Sequence, residues 1–380
     1  MLSGKVLLVA NTDWYLYNFR LALARFLESQ GFDVTMVAPG GKFASEIVAK
    51  GFRFIEWNVG RRTMSPPGEF QALTSLTKIY QSEKPDLVHH FTIKPVLYGS
   101  LAAKYTRVPA VVNSVTGLGY VFLKEGWEGA LMQFLILPFY RFAFSHPHMR
   151  VIFENENDRA TFIKLKLVKP KGSVVIRGAG VDADYFRPSP EPSQADPLVV
   201  FPARMLLDKG LDTVVEAVRL LKGKSKARFA LVGDIDPGNP TSVKETVLKG
   251  WEQEGLVEWW GFQKDMLSVY QNCSIVTLPS LGEGLPTVLI EASACARPIV
   301  TTDVAGCRDV VNNGVNGLLV PPNQPKALAQ ALETLLNDPD QRLRMGKAGR
   351  RIVLGRFTDK QVNQETLSVY METLGPKKCS

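Results

Sequence analysis

From Lys5 to Val320 the chain repeats one unit: a short, mostly apolar run, a turn, then a longer segment before the next run. The runs begin at Lys5 to Ala10, Asp33 to Ala38, Arg53 to Trp57, Pro85 to His90, Ala110 to Ser114, Val151 to Glu154 and Ser173 to Ile176. They resume at Leu198 to Pro202, Arg228 to Gly233, Val257 to Phe262, Cys273 to Leu278, Pro298 to Thr302 and Gly317 to Val320. Most are continuously apolar and β-branched rather than alternating, which predicts strands buried on both faces of a parallel sheet. Between the first two runs, after Asn11, Thr12 and Asp13, apolar residues at helical spacing predict a helix to about Gln30, closed by Gly31. This strand–helix–strand opening is that of a doubly wound α/β fold. A chain of 380 residues exceeds one ordinary core and predicts two such domains. Pro188 to Pro197, rich in Pro, Ser and acids, reads as the linker, so the predicted parts are 1–188, 198–355 and a C-terminal helical segment 356–380.

The stretch Thr277 to Glu291 concentrates the chemistry. A buried strand ends at Leu278; Ser280, Gly282 and Gly284 break it into a tight turn; Pro286 suits the first turn of a helix running from Thr287 to Cys295. The free N–H groups at such a helix start bind phosphate. Glu283 sits on the turn and Glu291 inside the helix, so one site has the means to hold a diphosphate between two carboxylates. Glu283 as a helix cap and Glu291 as a surface residue is the plainer alternative.

The formal charge is +8, and it is uneven. Residues 1–190 hold 23 Lys/Arg and 15 Asp/Glu, whereas residues 191–380 hold 22 of each. A basic first half suits an anionic partner: nucleic acid, a phospholipid surface or a phosphorylated substrate. No helix-turn-helix, zinc or base-stacking signature supports nucleic acid. The four cysteines, Cys273, Cys295, Cys307 and Cys379, have neither metal-ligand nor disulfide-framework spacing, which fits a reducing cytosol. The chain opens straight into a strand, predicting no signal peptide, and no run reaches the roughly 18 apolar residues of a membrane span.

The first strand is not followed by G-x-G-x-x-G, which argues against a nicotinamide or flavin dehydrogenase. Its turn carries Asn11, Thr12, Asp13, Trp14 and Tyr15 instead. His89 and His90 close the strand beginning at Pro85, where a structural hydrogen bond and a catalytic role both remain open. Trp127 to Phe144 is apolar on more than one face and broken by Pro138; it fits a buried helix or a segment lying in a membrane interface. Asp182/Asp184 and Asp234/Asp236 form D-x-D pairs that read as turn acids rather than metal ligands.

The spacing of Glu283 and Glu291, with the continuation Glu-Ala-Ser-Ala-Cys-Ala-Arg-Pro-Ile-Val, resembles the paired-glutamate motif of the retaining glycosyltransferases of family 4. Arg204 and Lys209, on the turn after Pro202, stand at that family's spacing for two diphosphate-binding cations. Lys94-Pro95 and the run Thr116-Gly117-Leu118-Gly119-Tyr120 resemble a subset acting on lipid-linked sugars. The resemblance implies the GT-B arrangement, two Rossmann-like domains facing across a cleft. It implies a uridine diphosphate sugar as donor, with Glu291 on the ribose, Glu283 on the sugar hydroxyls, and Gly284, Leu285, Pro286 and Thr287 with Arg204 and Lys209 on the diphosphate. Gly261 and Phe262 would pack the base. The acceptor, a glycan or a polyprenyl-diphosphate-linked sugar, would lie against the basic first domain near Asp13, Arg61, Arg62, His90, Lys94 and Thr116. At Thr116 many family members carry a histidine near the donor sugar, and this chain does not. No metal and no cofactor is implied, the two cations and the helix start supplying positive charge. The expected place is the cytoplasm, peripheral on the inner face of the plasma membrane. A nucleotide-sugar 2-epimerase on the same fold and a transferase with a soluble acceptor are the remaining alternatives.

Overall fold

The computed structural model describes residues 4–59, 66–116, 136–191 and 196–375. It divides the chain into two compact units, residues 1–179 with 359–380, and residues 180–358.

The first unit is built on a seven-stranded sheet, β1 Gly4–Val9, β2 Phe32–Ala38, β3 Arg53–Glu56, β4 Leu87–Phe91, β5 Ala110–Val115, β6 Met149–Phe153 and β7 Ser173–Val175. Its order is β3-β2-β1-β4-β5-β6-β7. Every pairing is parallel, with Val6 opposite both Val34 and Leu87 across β1. Burial on both faces explains the unbroken apolar runs: Val6, Leu8 and Val34 enter one core, Leu7, Val9 and Val111 the other. The helix Asp359–Leu374 belongs to this unit and buries Val362, Leu367, Val369 and Tyr370 in the first of those cores.

The second unit holds β8 Leu198–Pro202, β9 Arg228–Val232, β10 Glu258–Gly261, β11 Ile275–Leu278, β12 Ile299–Thr302 and β13 Gly317–Val320. Its parallel sheet runs β10-β9-β8-β11-β12-β13 over one contiguous core.

Two expectations need correction. The single helix expected between Asp13 and about Gln30 is two helices, Asp13–Phe19 and Leu21–Ser29, parted at Arg20. Arg20 leaves helical geometry to lay its guanidinium 4.3 Å over the Phe91 ring and donate to the Tyr15 hydroxyl at 2.6 Å. Residues 180–188, expected to leave the first domain, sit with the second unit, because Arg350 donates to the carbonyls of Ala183 and Phe186 and Val181 N–H to that of Phe357. The described start of the linker is likewise pinned, Arg297 donating to Ser189 and Pro190 and Arg342 to Glu191. Of the stretch 127–144, residues 127–135 lie outside the described residues. The remainder is a helix, 136–143, that buries Tyr140 and Ala143 and exposes Phe139 and Phe142. Among the described residues no helix is long and apolar enough to cross a membrane.

Candidate active site

In a doubly wound sheet, ligands bind beyond the carboxyl ends of the strands where the strand order reverses. In the second unit that point lies between β8 and β11. The turn after β8 carries Arg204 and Lys209; the turn after β11 carries Glu283. The fold joins them: Lys209 Nζ lies 2.6 and 2.8 Å from the two carboxylate oxygens of Glu283, across 74 residues of sequence. Both side chains are largely shielded, at 23% and 11% exposure.

The backbone explains why the pair forms. Lys209 ends a single 3-10 turn, and Gly210 follows with φ +76°, where a Cβ would lie 2.0 Å from the Pro279 carbonyl. Only glycine allows the two turns to approach so closely. Asp208 O accepts from Leu281 N–H at 2.9 Å and from Ser280 Oγ at 3.1 Å, stitching one turn to the other. Thr302 Oγ1, at the end of β12, donates to Ser280 O at 2.5 Å.

Pro286 stands one place before the first helical residue rather than inside the first turn. It offers no side-chain cap to the helix Thr287–Ala294, whose opening N–H groups face the same edge of the sheet. Leu285 is buried in the core, so any ligand contact from it is through its backbone. Glu291, one turn in, accepts a hydrogen bond from the Tyr270 hydroxyl at 2.8 Å. Burial pushes its carboxyl up to about 7, and the Tyr270 hydrogen bond only partly opposes that. Both plainer readings of this pair are thereby displaced: Glu283 holds a lysine rather than a helix end, and Glu291 is half-buried.

Arg204 Nη1 meets Asp236 Oδ2 at 2.5 Å, and Asp234 Oδ1 accepts from the Phe262 N–H at 2.9 Å. The second D-x-D therefore shapes the site's rim. Gly261 has φ +63°, Phe262 is 59% exposed, and Gly233 passes so close that its Cβ would lie 2.1 Å from the Ala203 carbonyl. Asp182 caps its own turn, accepting from Asp184 and Tyr185 N–H at 2.9 Å. Among the described residues no group of three His, Cys, Asp or Glu side chains is placed to hold a metal ion. Cys273, Cys295 and Cys307 are free and buried, their thiols pushed up to about 12 by burial.

Two participants were not legible in the sequence. Tyr270 holds Glu291 from a neighbouring helix. Gly306, in the helix Ala305–Val310, lies under the Glu283 turn: a Cβ there would fall 2.4 Å from Gly284 O and 2.6 Å from Glu283 O. A glycine just beyond a strand was the only signal.

In the first unit the residues expected on the acceptor side are placed less uniformly. His90 is corrected. It is fully buried, its Nε2 2.8 Å from the Tyr80 hydroxyl and its Nδ1 2.7 Å from Asn113 Oδ1, which leaves no ring nitrogen for a ligand. His89 is equally enclosed, between Ser114 Oγ at 2.7 Å and Tyr370 OH at 2.6 Å. Burial lowers both rings, His90 to about 4, so both are neutral at pH 7. Asp13 is also redirected: its carboxylate accepts from the N–H groups of Phe43 and Ala44, capping the helix Lys42–Ala49, and from Trp14 N–H. Lys94 Nζ pairs with Glu69 at 2.7 Å, and Tyr98 donates to the same carboxylate. Thr116 borders a small cavity with Thr92. Arg61 and Arg62 lie outside the described residues.

Residues 182–352 match the family described as Glycosyl transferases group 1, and residues 5–155 match Glycosyl transferase 4-like. The chain is 28% identical over 367 residues, covering 93% of it and 95% of the relative, to the N,N'-diacetylbacillosaminyl-diphospho-undecaprenol alpha-1,3-N-acetylgalactosaminyltransferase of Campylobacter jejuni. A glycosyltransferase from Rickettsia africae shares the fold with a TM-score of 0.79 at 20% identity, over 99% of this chain and 100% of the other. Anabaena HepE, solved with UDP-glucose, does so with a TM-score of 0.78 at 20% identity, over 96% and 99%. Two tandem family matches and a shared fold along nearly the whole chain place it: the protein is a glycosyltransferase of GT-B fold, with a group 1 unit following a 4-like unit.

Proposed function

We propose that the protein is a retaining, metal-independent transferase. It moves a hexose or N-acetylhexosamine from a UDP-sugar to a glycan carried on a polyprenyl diphosphate, in the assembly of a surface polysaccharide or glycan. The observation that carries the donor half is the Lys209–Glu283 pair at the β8/β11 strand-order reversal, with Glu291 one helical turn beyond. The acceptor half is supported by the Campylobacter relative, whose name specifies a diphospho-undecaprenol acceptor.

In this reading the donor's diphosphate lies at the start of the helix Thr287–Ala294, where N–H groups and the helix dipole favour negative charge. Lys209 and Arg204 add two cations there. Glu291 accepts from the ribose hydroxyls. Glu283 spends one lone pair of each oxygen on Lys209 and keeps the others for hydroxyls of the sugar. The base packs at Gly261–Phe262. As the bond between the anomeric carbon and the phosphate oxygen breaks, charge grows on that oxygen, where the fixed cations and N–H groups stabilise it most. The acceptor hydroxyl forms the new glycosidic bond on the same face, and its proton passes to the departing phosphate oxygen. The two cations and the helix start do the work a metal would otherwise do.

The basic first half suits the acceptor's diphosphate, through Lys94, Arg61 and Arg62, and suits a peripheral position on the anionic inner face of the plasma membrane. The test is transfer of labelled sugar from a panel of UDP-sugars to an undecaprenyl-diphosphate-linked saccharide, with product configuration read by NMR. A donor-only control that yields an epimerised nucleotide sugar identifies an isomerase instead. Equal transfer to a soluble acceptor, or transfer unaffected when Arg61, Arg62 and Lys94 are neutralised together, removes the lipid-acceptor half.

A further inference from the structure

In the first unit the strand order reverses between β1 and β4. Thr92, the first residue beyond β4, stands at the carboxyl edge of that crevice. Its φ is +70°, a left-handed backbone that a β-branched residue rarely adopts. Its carbonyl accepts from Val96 N–H at 3.1 Å, opening the π-helical turn Pro95–Gly99, a geometry that recurs at functional sites. Its Oγ1 is shielded from solvent and, among the described residues, has no hydrogen-bond partner. Threonine here therefore satisfies neither its backbone nor its hydroxyl, and glycine would remove both penalties.

Thr92 lines a cavity of about 20 Å³ together with Ile93, Val96, Val115, Thr116 and Tyr140. That volume accommodates one hydroxyl or one water. Among the described residues its lining has no cationic side chain, which disfavours a phosphate. Ile93, 39% exposed, forms an apolar ledge beside it.

We infer that Thr92 is an acceptor-specificity residue: its Oγ1 hydrogen-bonds one neutral hydroxyl of the acceptor sugar, seated in this cavity with the sugar ring over Ile93. The inference rests on the reading of a glycan acceptor and adds which group of the chain reads it.

The test compares the full-length protein with Thr92→Ser and Thr92→Gly, using UDP-sugar donor, the lipid-linked acceptor and its monodeoxy analogues. Thr92→Ser keeps the hydroxyl and is expected to keep acceptor kcat/KM within about threefold. Thr92→Gly is expected to melt at or above the wild-type temperature, to leave donor KM unchanged, and to lose about tenfold in acceptor kcat/KM, the worth of one neutral hydrogen bond. With the one deoxy analogue that lacks the seated hydroxyl, wild type and Thr92→Gly become equal. A Thr92→Gly enzyme with unaltered acceptor kcat/KM, or with the same loss on every deoxy analogue, overturns the inference. Wild-type protein that transfers to no glycan acceptor overturns the functional reading itself, before any variant is compared.

Discussion

Glu291 gives the donor site a pH dependence whose size follows from its surroundings. Its carboxyl is raised to about 7 by burial, and in the proposed reading a ribose diol would donate to the ionised form. A ligand that requires the carboxylate binds in proportion to the ionised fraction, about one tenth at pH 6 and about nine tenths at pH 8. Affinity for a UDP-sugar is therefore expected to rise about tenfold across that interval, about 1.4 kcal/mol. Isothermal titration calorimetry with a UDP-sugar measures it cleanly, because a doubly esterified diphosphate lacks the terminal phosphate ionisation near pH 6. Glu291→Gln is expected to flatten the profile, and Tyr270→Phe, which removes the opposing hydrogen bond, to move its midpoint to higher pH. The unliganded protein should respond in the opposite sense. An acid raised on folding stabilises the fold fully below about 4.5, and that contribution is lost as pH climbs through about 7. Glu291→Gln is therefore expected to be the more stable unliganded protein at pH 8, by up to about 3 kcal/mol. A flat wild-type binding profile, or a slope that survives in Glu291→Gln, refutes the reasoning.

Lys209→Met and Arg204→Met are each expected to lower kcat by about 10²–10³-fold with a smaller change in donor KM, as measured by initial rates. Gly306→Ala, whose Cβ meets Gly284 O at 2.4 Å, must push the Glu283 turn away; a loss of about a hundredfold in kcat/KM with the fold retained by circular dichroism is expected. Tyr80→Phe leaves the buried His90 Nε2 unpaired and is expected to cost about 1–3 kcal/mol in urea unfolding, with kcat unchanged. Because burial lowers His90 from 6.5 to about 4, its contribution to stability is present above 6.5 and lost as pH falls towards 4. His90→Gln is expected to weaken that acid-side slope.

The strands were legible because nothing competes with the signal. Runs such as Val6 to Val9 and Val199 to Phe201 are buried on both faces, so every position is apolar and the register hardly matters. Helices with a thinner apolar face were not: Lys42–Ala49 buries only Ile47 and takes its cap from Asp13, thirty residues away, while Glu156–Lys164 is capped by Asn155. The paired glutamates and the two cations were legible through their spacing. Their partners were not, since Lys209–Glu283, Arg204–Asp236 and Tyr270–Glu291 close across 74, 32 and 21 residues. The histidines stayed open between a structural and a catalytic role for the same reason. A strand end reads alike whether its side chains open onto a ligand or, like His89 and His90, are closed off by Tyr370, Ser114, Tyr80 and Asn113.

The most direct measurement is a crystal structure of the protein with an intact UDP-sugar. The expected result has the diphosphate bonded to Lys209 Nζ and to the first N–H groups of the helix Thr287–Ala294, the ribose on Glu291 and the sugar hydroxyls on Glu283. A nucleotide seated elsewhere, with Glu283 still closed on Lys209 and Glu291 still met by Tyr270 alone, contradicts it.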